Sequence, residues 1–173
     1  MLEQTPYSET GLPRLLVLVD HQENRRLLTN WLSQHYKVVI PRSSEDLEQA
    51  FDLAILDTYA LQQLFTKIKA RKEAERPLYL PTLLIASRED SAALDPKVWQ
   101  TIDEVLVTPI QKSELRLRLD VLLRVRQLGV ELAHSNHDLK REIVERQVAE
   151  QRLKEVLSTE AAARREAEKA NEL

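Results

Sequence analysis

The chain has 173 residues, 43% of them apolar and 31% charged, with a net charge of −3. That length suffices for one globular domain with its own core plus an appendage, and the mild acidity offers nothing to a nucleic-acid backbone. Cysteine is absent, which excludes disulfides and thiolate metal sites, and no apolar run approaches the roughly 20 residues that span a bilayer.

Residues 1–13, MLEQTPYSETGLP, are polar and lack a basic-then-apolar leader pattern, so they read as a tail and the expected setting is cytoplasmic. The first apolar run, LLVLV (15–19), is followed by a helical pattern at 23–35 that places Leu27, Leu28, Trp31 and Leu32 on one stripe. KVVI (37–40) comes next, then SSEDLEQA (43–50), which opens with capping residues. DLAIL (52–56) leads into a second clear helical pattern over 60–75, with Leu61, Leu64, Phe65 and Ile68 on one side. After PTLLIA (81–86), the stretch 88–102 offers only a short helical candidate with Pro96 in its first turn, and EVLV (104–107) closes the series. Continuous apolar runs of strand length, rather than alternating ones, mark strands buried on both faces of a parallel sheet. Five of them separated by helices predict a doubly wound α/β domain over 14–123.

The pattern then changes. From Ser113 to Leu173 there is no proline and one glycine, Gly129, amid abundant Glu, Arg, Lys, Ala and Leu. A helix of that extent would be roughly 90 Å long and needs a partner along an apolar seam. Stepping by sevens from Leu132 gives Leu139, Arg146, Leu153, Glu160 and Ala167; the companion positions are Ser135, Glu142, Ala149, Val156, Ala163 and Ala170. This imperfect heptad pattern predicts a dimerising coiled-coil helix over 124–173.

In an open α/β sheet, ligands gather outside the carboxyl ends of the strands. Here those ends deliver Asp20 and His21 after the first run, Asp57 after the third, Ser87 after the fourth and Thr108-Pro109 after the fifth. That constellation resembles the receiver domain of two-component response regulators, a five-stranded parallel, flavodoxin-like sheet. The resemblance implies Asp57 as phosphoacceptor. It places Mg²⁺ on Asp20, Asp57 and the backbone carbonyl of Tyr59, with His21, Ser87 and Thr108 completing the pocket. It also implies a histidine kinase or phosphotransfer protein as partner, or a kinase domain of the same protein downstream.

Four departures bear on that chemistry. His21 stands where the family carries a second carboxylate, and magnesium favours hard oxygen ligands. Thr108 stands where the family carries a lysine. A lysine about 4 Å from a phosphoryl group, at an effective dielectric of about 20, contributes attraction of order 4 kcal/mol; a neutral hydroxyl contributes about 1 kcal/mol. Val105 occupies the position of the family's switch aromatic, and Leu61 that of a common proline.

HDLK (137–140) resembles the start of a histidine-kinase H-box, but Arg141-Glu142 replaces the Thr-Pro that normally follows. His134 and His137 are spaced to share a metal, yet no third ligand is evident. A stand-alone enzyme is poorly supported: two glycines cannot build a phosphate loop, and no nucleophile has a paired base. The expectation is therefore a non-catalytic, homodimeric signalling module with impaired phosphorylation at Asp57, the front part of a longer histidine kinase. Its Mg²⁺ site would be weak or absent, and neither nucleic acid nor membrane is an expected partner. The alternative is a pseudo-receiver that acts as a protein-binding and dimerisation scaffold without phosphorylation.

Overall fold

The computed structural model describes residues 11–41, 47 and 49–171. In chain order they form β1 (Arg14–Leu18), α1 (Gln22–Leu32), β2 (Lys37–Val39), β3 (Leu53–Asp57), α2 (Thr58–Glu75), β4 (Thr82–Ala86), α3 (Arg88–Ala92), a 3-10 turn (Val98–Gln100), β5 (Glu104–Val107) and α4 (Lys112–Asn171). All strand pairs are parallel, in the order β2-β1-β3-β4-β5. The sheet matches the predicted doubly wound architecture with a long C-terminal helix.

Alternate residues of each strand face opposite layers, and both layers are apolar. Leu15, Val17, Leu53, Ile55, Leu83 and Leu106 pack with Leu32 of α1 and with Leu115, Leu119, Leu122 and Leu123 of α4. Leu16, Leu18, Ala54, Leu56, Leu84 and Ala86 pack on the other side with Leu61 and Ile68 of α2 and with Ile102. Burial on both faces is why the strands read as unbroken apolar runs.

Two helical expectations need correction. The 88–102 stretch holds two short helical pieces rather than one, and Pro96 lies just before the second instead of in its first turn. It forms α3, a five-residue helix capped by Ser87, and then the separate 3-10 turn, which Pro96 precedes. Leu27, placed by periodicity on the core stripe of α1, is 55% exposed. Only Leu47, Gln49 and Ala50 of the 43–50 helical expectation are described, with Leu47 buried; the rest lies outside the described residues. Helix α2 stops where Arg76 turns extended before Pro77, as the steric restriction on a residue preceding proline requires.

The chain divides into two units, Met1–Val130 and Glu131–Leu173. The first holds the sheet and the opening turns of α4. In the second, α4 is exposed from 131 to 165 apart from half-buried Ala133. No helix among the described residues is long and apolar enough to cross a membrane.

Candidate functional site

The chain reverses its order across the sheet between β1 and β3, and their carboxyl ends define the crevice where such folds bind ligands. Asp57 is the last residue of β3 and the N-cap of α2. Its Oδ1 accepts a hydrogen bond from the Ala60 N–H at 2.8 Å, and its Oδ2 accepts one from the Asp20 N–H at 2.6 Å. One half-buried carboxylate therefore ties two strand ends together, and its negative charge is favoured at the positive end of α2.

Asp20, one residue past Val19, is exposed. His21 is the N-cap of α1, where Nδ1 accepts from the Asn24 N–H at 3.4 Å. Arg25, in the first turns of α1, sends its guanidinium back to the end of β1: Nη1 donates to the carbonyls of Val19 at 2.9 Å and Asp20 at 3.4 Å. Asp20 and Arg25 line a shallow groove of about 220 Å³ with Tyr59, Gln63 and Ile40.

Ser87, just past β4, is committed locally. Its hydroxyl donates to the Asp90 carboxylate at 2.8 Å and accepts the Asp90 N–H at 3.0 Å, closing the N-terminus of α3. Thr108 follows β5 directly. Its N–H donates to the Ala86 carbonyl at 2.9 Å, and its peptide bond to Pro109 is cis. Thr108 and Asp57 meet in a second cleft, about 330 Å³, walled by Leu27, Leu28 and Trp31 of α1 and by Ile110, Lys112 and Leu115. This cleft explains the exposure of Leu27: the residue faces the opening above the sheet rather than the core.

The crevice offers a sparse donor set to the magnesium ion that the resemblance implies. Two carboxylates stand at the crevice, and both oxygens of Asp57 already accept backbone N–H groups. The residue beside Asp20 is a histidine turned toward its own helix. Among the described residues no three His, Cys, Asp or Glu side chains converge; magnesium is commonly held by one or two carboxylates, with waters and phosphate oxygens filling its octahedron. His134 and His137 are both exposed on α4.

No protein-family model matches the sequence, and no curated protein matches it. Comparison of the fold with solved structures is more informative. A CheY-like response regulator receiver domain from Methylobacillus flagellatus superposes over 65% of this chain and 99% of its own, at 15% identity and a TM-score of 0.51. The fold is that of a receiver domain. NtrX from Brucella abortus, in complex with ADP, reaches a TM-score of 0.60 at 16% identity over 72% of this chain, which spans only 29% of NtrX. A fusion carrying the trimeric coiled coil of yeast Spc42 matches 81% of this chain and 94% of its own, at 16% identity and a TM-score of 0.55.

Within the receiver fold, the crevice brings Asp57 against the backbone of Asp20 and into one cleft with Thr108. Ser87 stands at the same sheet edge with its hydroxyl engaged in a helix cap. Sequence reasoning missed Arg25, Lys112 and Trp31 at this edge. A signal existed for Lys112, four residues past Thr108 at the opening of α4; none existed for Arg25, whose role depends on its reaching back past the cap.

Proposed function

We propose that residues 14–123 act as a receiver-type regulatory module in two-component signal transduction, with weakened phosphorylation at Asp57, and that residues 124–173 form a dimerising helix. The observation that carries this reading is the Asp57 carboxylate bridging β1 and β3 at the crevice, with Thr108 at the end of β5 lining the same cleft. Phosphorylation would proceed by attack of an Asp57 oxygen on the phosphorus of a phosphohistidine or an acyl phosphate. The new P–O bond forms as the bond to the leaving group breaks, and the leaving group takes the electron pair. The chain's own groups would orient the carboxylate through the N–H of Asp20 and of Ala60, and Thr108 would offer one neutral hydrogen bond to the transferred group. Positioning and charge stabilisation dominate such transfers, and this pocket supplies the first better than the second.

The donor is a histidine kinase or phosphotransfer protein, or a kinase domain of the same protein downstream of Leu173. The module itself is non-catalytic, and its setting is cytoplasmic. A scaffold that never becomes phosphorylated is the second reading. It is favoured by the local engagement of both Asp57 oxygens and of the Ser87 hydroxyl.

Incubation with acetyl phosphate and Mg²⁺, followed by intact-mass measurement, separates the two. The expected result is a substoichiometric single phosphoryl adduct that Asp57→Ala abolishes and Thr108→Lys increases severalfold, because the lysine restores a cation at the phosphoryl position. No adduct in either the wild type or Thr108→Lys would leave the scaffold reading in its place.

A further inference from the structure

The cleft of about 330 Å³ that Asp57 and Thr108 share with α1 and α4 is apolar over most of its wall. A phosphoryl group needs none of that surface. The cleft reaches the sheet at Ile85. Every other residue of β4 is buried; Ile85, opposite Asp57 in the register of β3 and β4, lines the cleft and is half-buried. Leu28 and Trp31 of α1 are half-buried on one side, Ile110 on the other, and Leu27 stands 55% exposed at the opening. Apolar surface left in water costs about 25 cal/mol per Å², which an apolar occupant of the cleft recovers.

Two charged side chains line the cleft, and one of them is already compensated. Asp57 directs its carboxylate to the N–H groups of Asp20 and Ala60, at the positive end of α2. Lys112, the first residue of α4, has no hydrogen-bond or ion-pair partner among the described residues. The acids nearest it in sequence and on α1 are engaged elsewhere: Glu23 holds Arg26 at 2.7 Å, and Glu114 lies 3.9 Å from Arg118. A lysine in the first turn of a helix also gains nothing from the helix dipole, whose positive end lies there. The unmet charge in the cleft is therefore positive, and it selects an anion.

Size and wall chemistry select the rest of the occupant. Small-molecule sites start at about 300 Å³ and combine apolar walls with a few placed polar groups; this cleft matches that description at its lower end and is too small to seat a helix of a protein partner. Trp31 supplies an aromatic wall, and aromatic rings favour other rings in stacked or edge-on contact. We infer that the cleft binds a small aromatic acid, its rings lodged between Trp31 and Ile85 and its anionic group on the Lys112 ammonium. Such a ligand touches α1 and α4 together and lies across the approach to Asp57. It binds whether or not Asp57 is ever phosphorylated, so the assignment stands apart from the reading above.

The test uses the full chain and two dyes that differ in one group, 8-anilino-1-naphthalenesulfonate and the neutral N-phenyl-1-naphthylamine, each titrated and followed by its fluorescence gain. The sulfonate should bind at a saturable site. Lys112→Gln should raise the sulfonate's dissociation constant about tenfold, because a charge-assisted hydrogen bond is lost, and leave that of the neutral dye within twofold. Leu27→Ser removes apolar wall at an exposed position, so the core stays intact; it should weaken both dyes severalfold. Leu139→Ser, on the exposed part of α4 beyond the sheet domain, should change neither and thereby separates the cleft from the other apolar surface open to a dye. No saturable binding, an unchanged sulfonate constant in Lys112→Gln, or a loss in Leu139→Ser with none in Leu27→Ser would each overturn the assignment.

Discussion

Asp57 serves as acceptor for two backbone donors at once, so its side chain is part of the fold before it is part of any chemistry. Asparagine has one acceptor oxygen and would turn an NH₂ group toward one of those donors. Exposed Asp20 is the neighbouring carboxylate, and repulsion across solvent is small, below about 1 kcal/mol. Loss of a hydrogen bond to a charged acceptor outweighs relief of that repulsion. Asp57→Asn should therefore destabilise the domain by about 1 kcal/mol in urea unfolding; a stabilised variant would show that repulsion governs the crevice instead. Glu75 gives a pH signature at the other end of the sheet. Burial alone would push its carboxyl up, but hydrogen bonds and charge from Arg126 and Arg71 outweigh burial and hold it below its usual value of 4.5. A carboxyl lowered in the folded state contributes stability that is complete above that usual value and disappears as pH falls through the folded one. Glu75→Gln should thus flatten the loss of stability on acidification below about pH 4.5, measured by the denaturation midpoint across pH; an unchanged acid profile would mean the two arginines exert no net hold on it.

At the level of elements, one buried arginine anchors α4. Arg126 donates to the Glu75 carboxylate and the Tyr79 carbonyl, both at 2.8 Å, and its Nε reaches Asp52 at 3.3 Å. It thereby joins α4 to the end of α2, the loop before β4 and the start of β3. Removing one partner from a buried ionic cluster costs more than the cluster adds, because the remaining groups lose their counter-charge. Arg126→Ala should cost about 3 kcal/mol. Arg146→Ala, which breaks an exposed ion pair with Glu142 on the same helix, should cost less than about 0.5 kcal/mol. Similar losses for both would contradict the burial argument. No sequence signal marked Arg126, since its partners lie 47 to 74 residues away. The strands, by contrast, were legible because two-sided burial leaves a continuous apolar run, and helix α2 because its stripe repeats over several turns. Helix α3 was not. Five residues are too few for a periodic stripe, and what starts the helix is Ser87, a residue the resemblance had assigned to the pocket. The crevice was legible in the same partial way: strand ends announce which residues arrive there, but not that Asp57 receives the N–H of Asp20 or that His21 turns to cap its own helix.

Across the whole molecule, the two units face different stability problems. The sheet domain buries apolar side chains on both faces of β1, β3 and β4 and so carries a core of its own. The second unit is a single helix whose Leu139, Ile143, Leu153, Val156 and Leu157 are all more than half exposed. Helix propagation in water is only marginally favourable and nucleation is costly, so a segment of this kind depends on burial against another helix. Folding coupled to association depends on concentration, whereas folding of a self-sufficient domain does not. Dilution from tens of micromolar to tens of nanomolar should therefore lower the helical circular dichroism signal by up to the share that residues 131–171 contribute. Over the same range, the urea midpoint of the sheet domain, followed through Trp31 and Trp99 fluorescence, should fall far less than the helical signal does. Leu139→Ala and Leu153→Ala together should move the loss of helical signal to higher protein concentration by at least tenfold. If the helical signal held its full value in samples that sedimentation shows to be monomeric, the helix would be stable alone and its exposed leucines would need a different explanation.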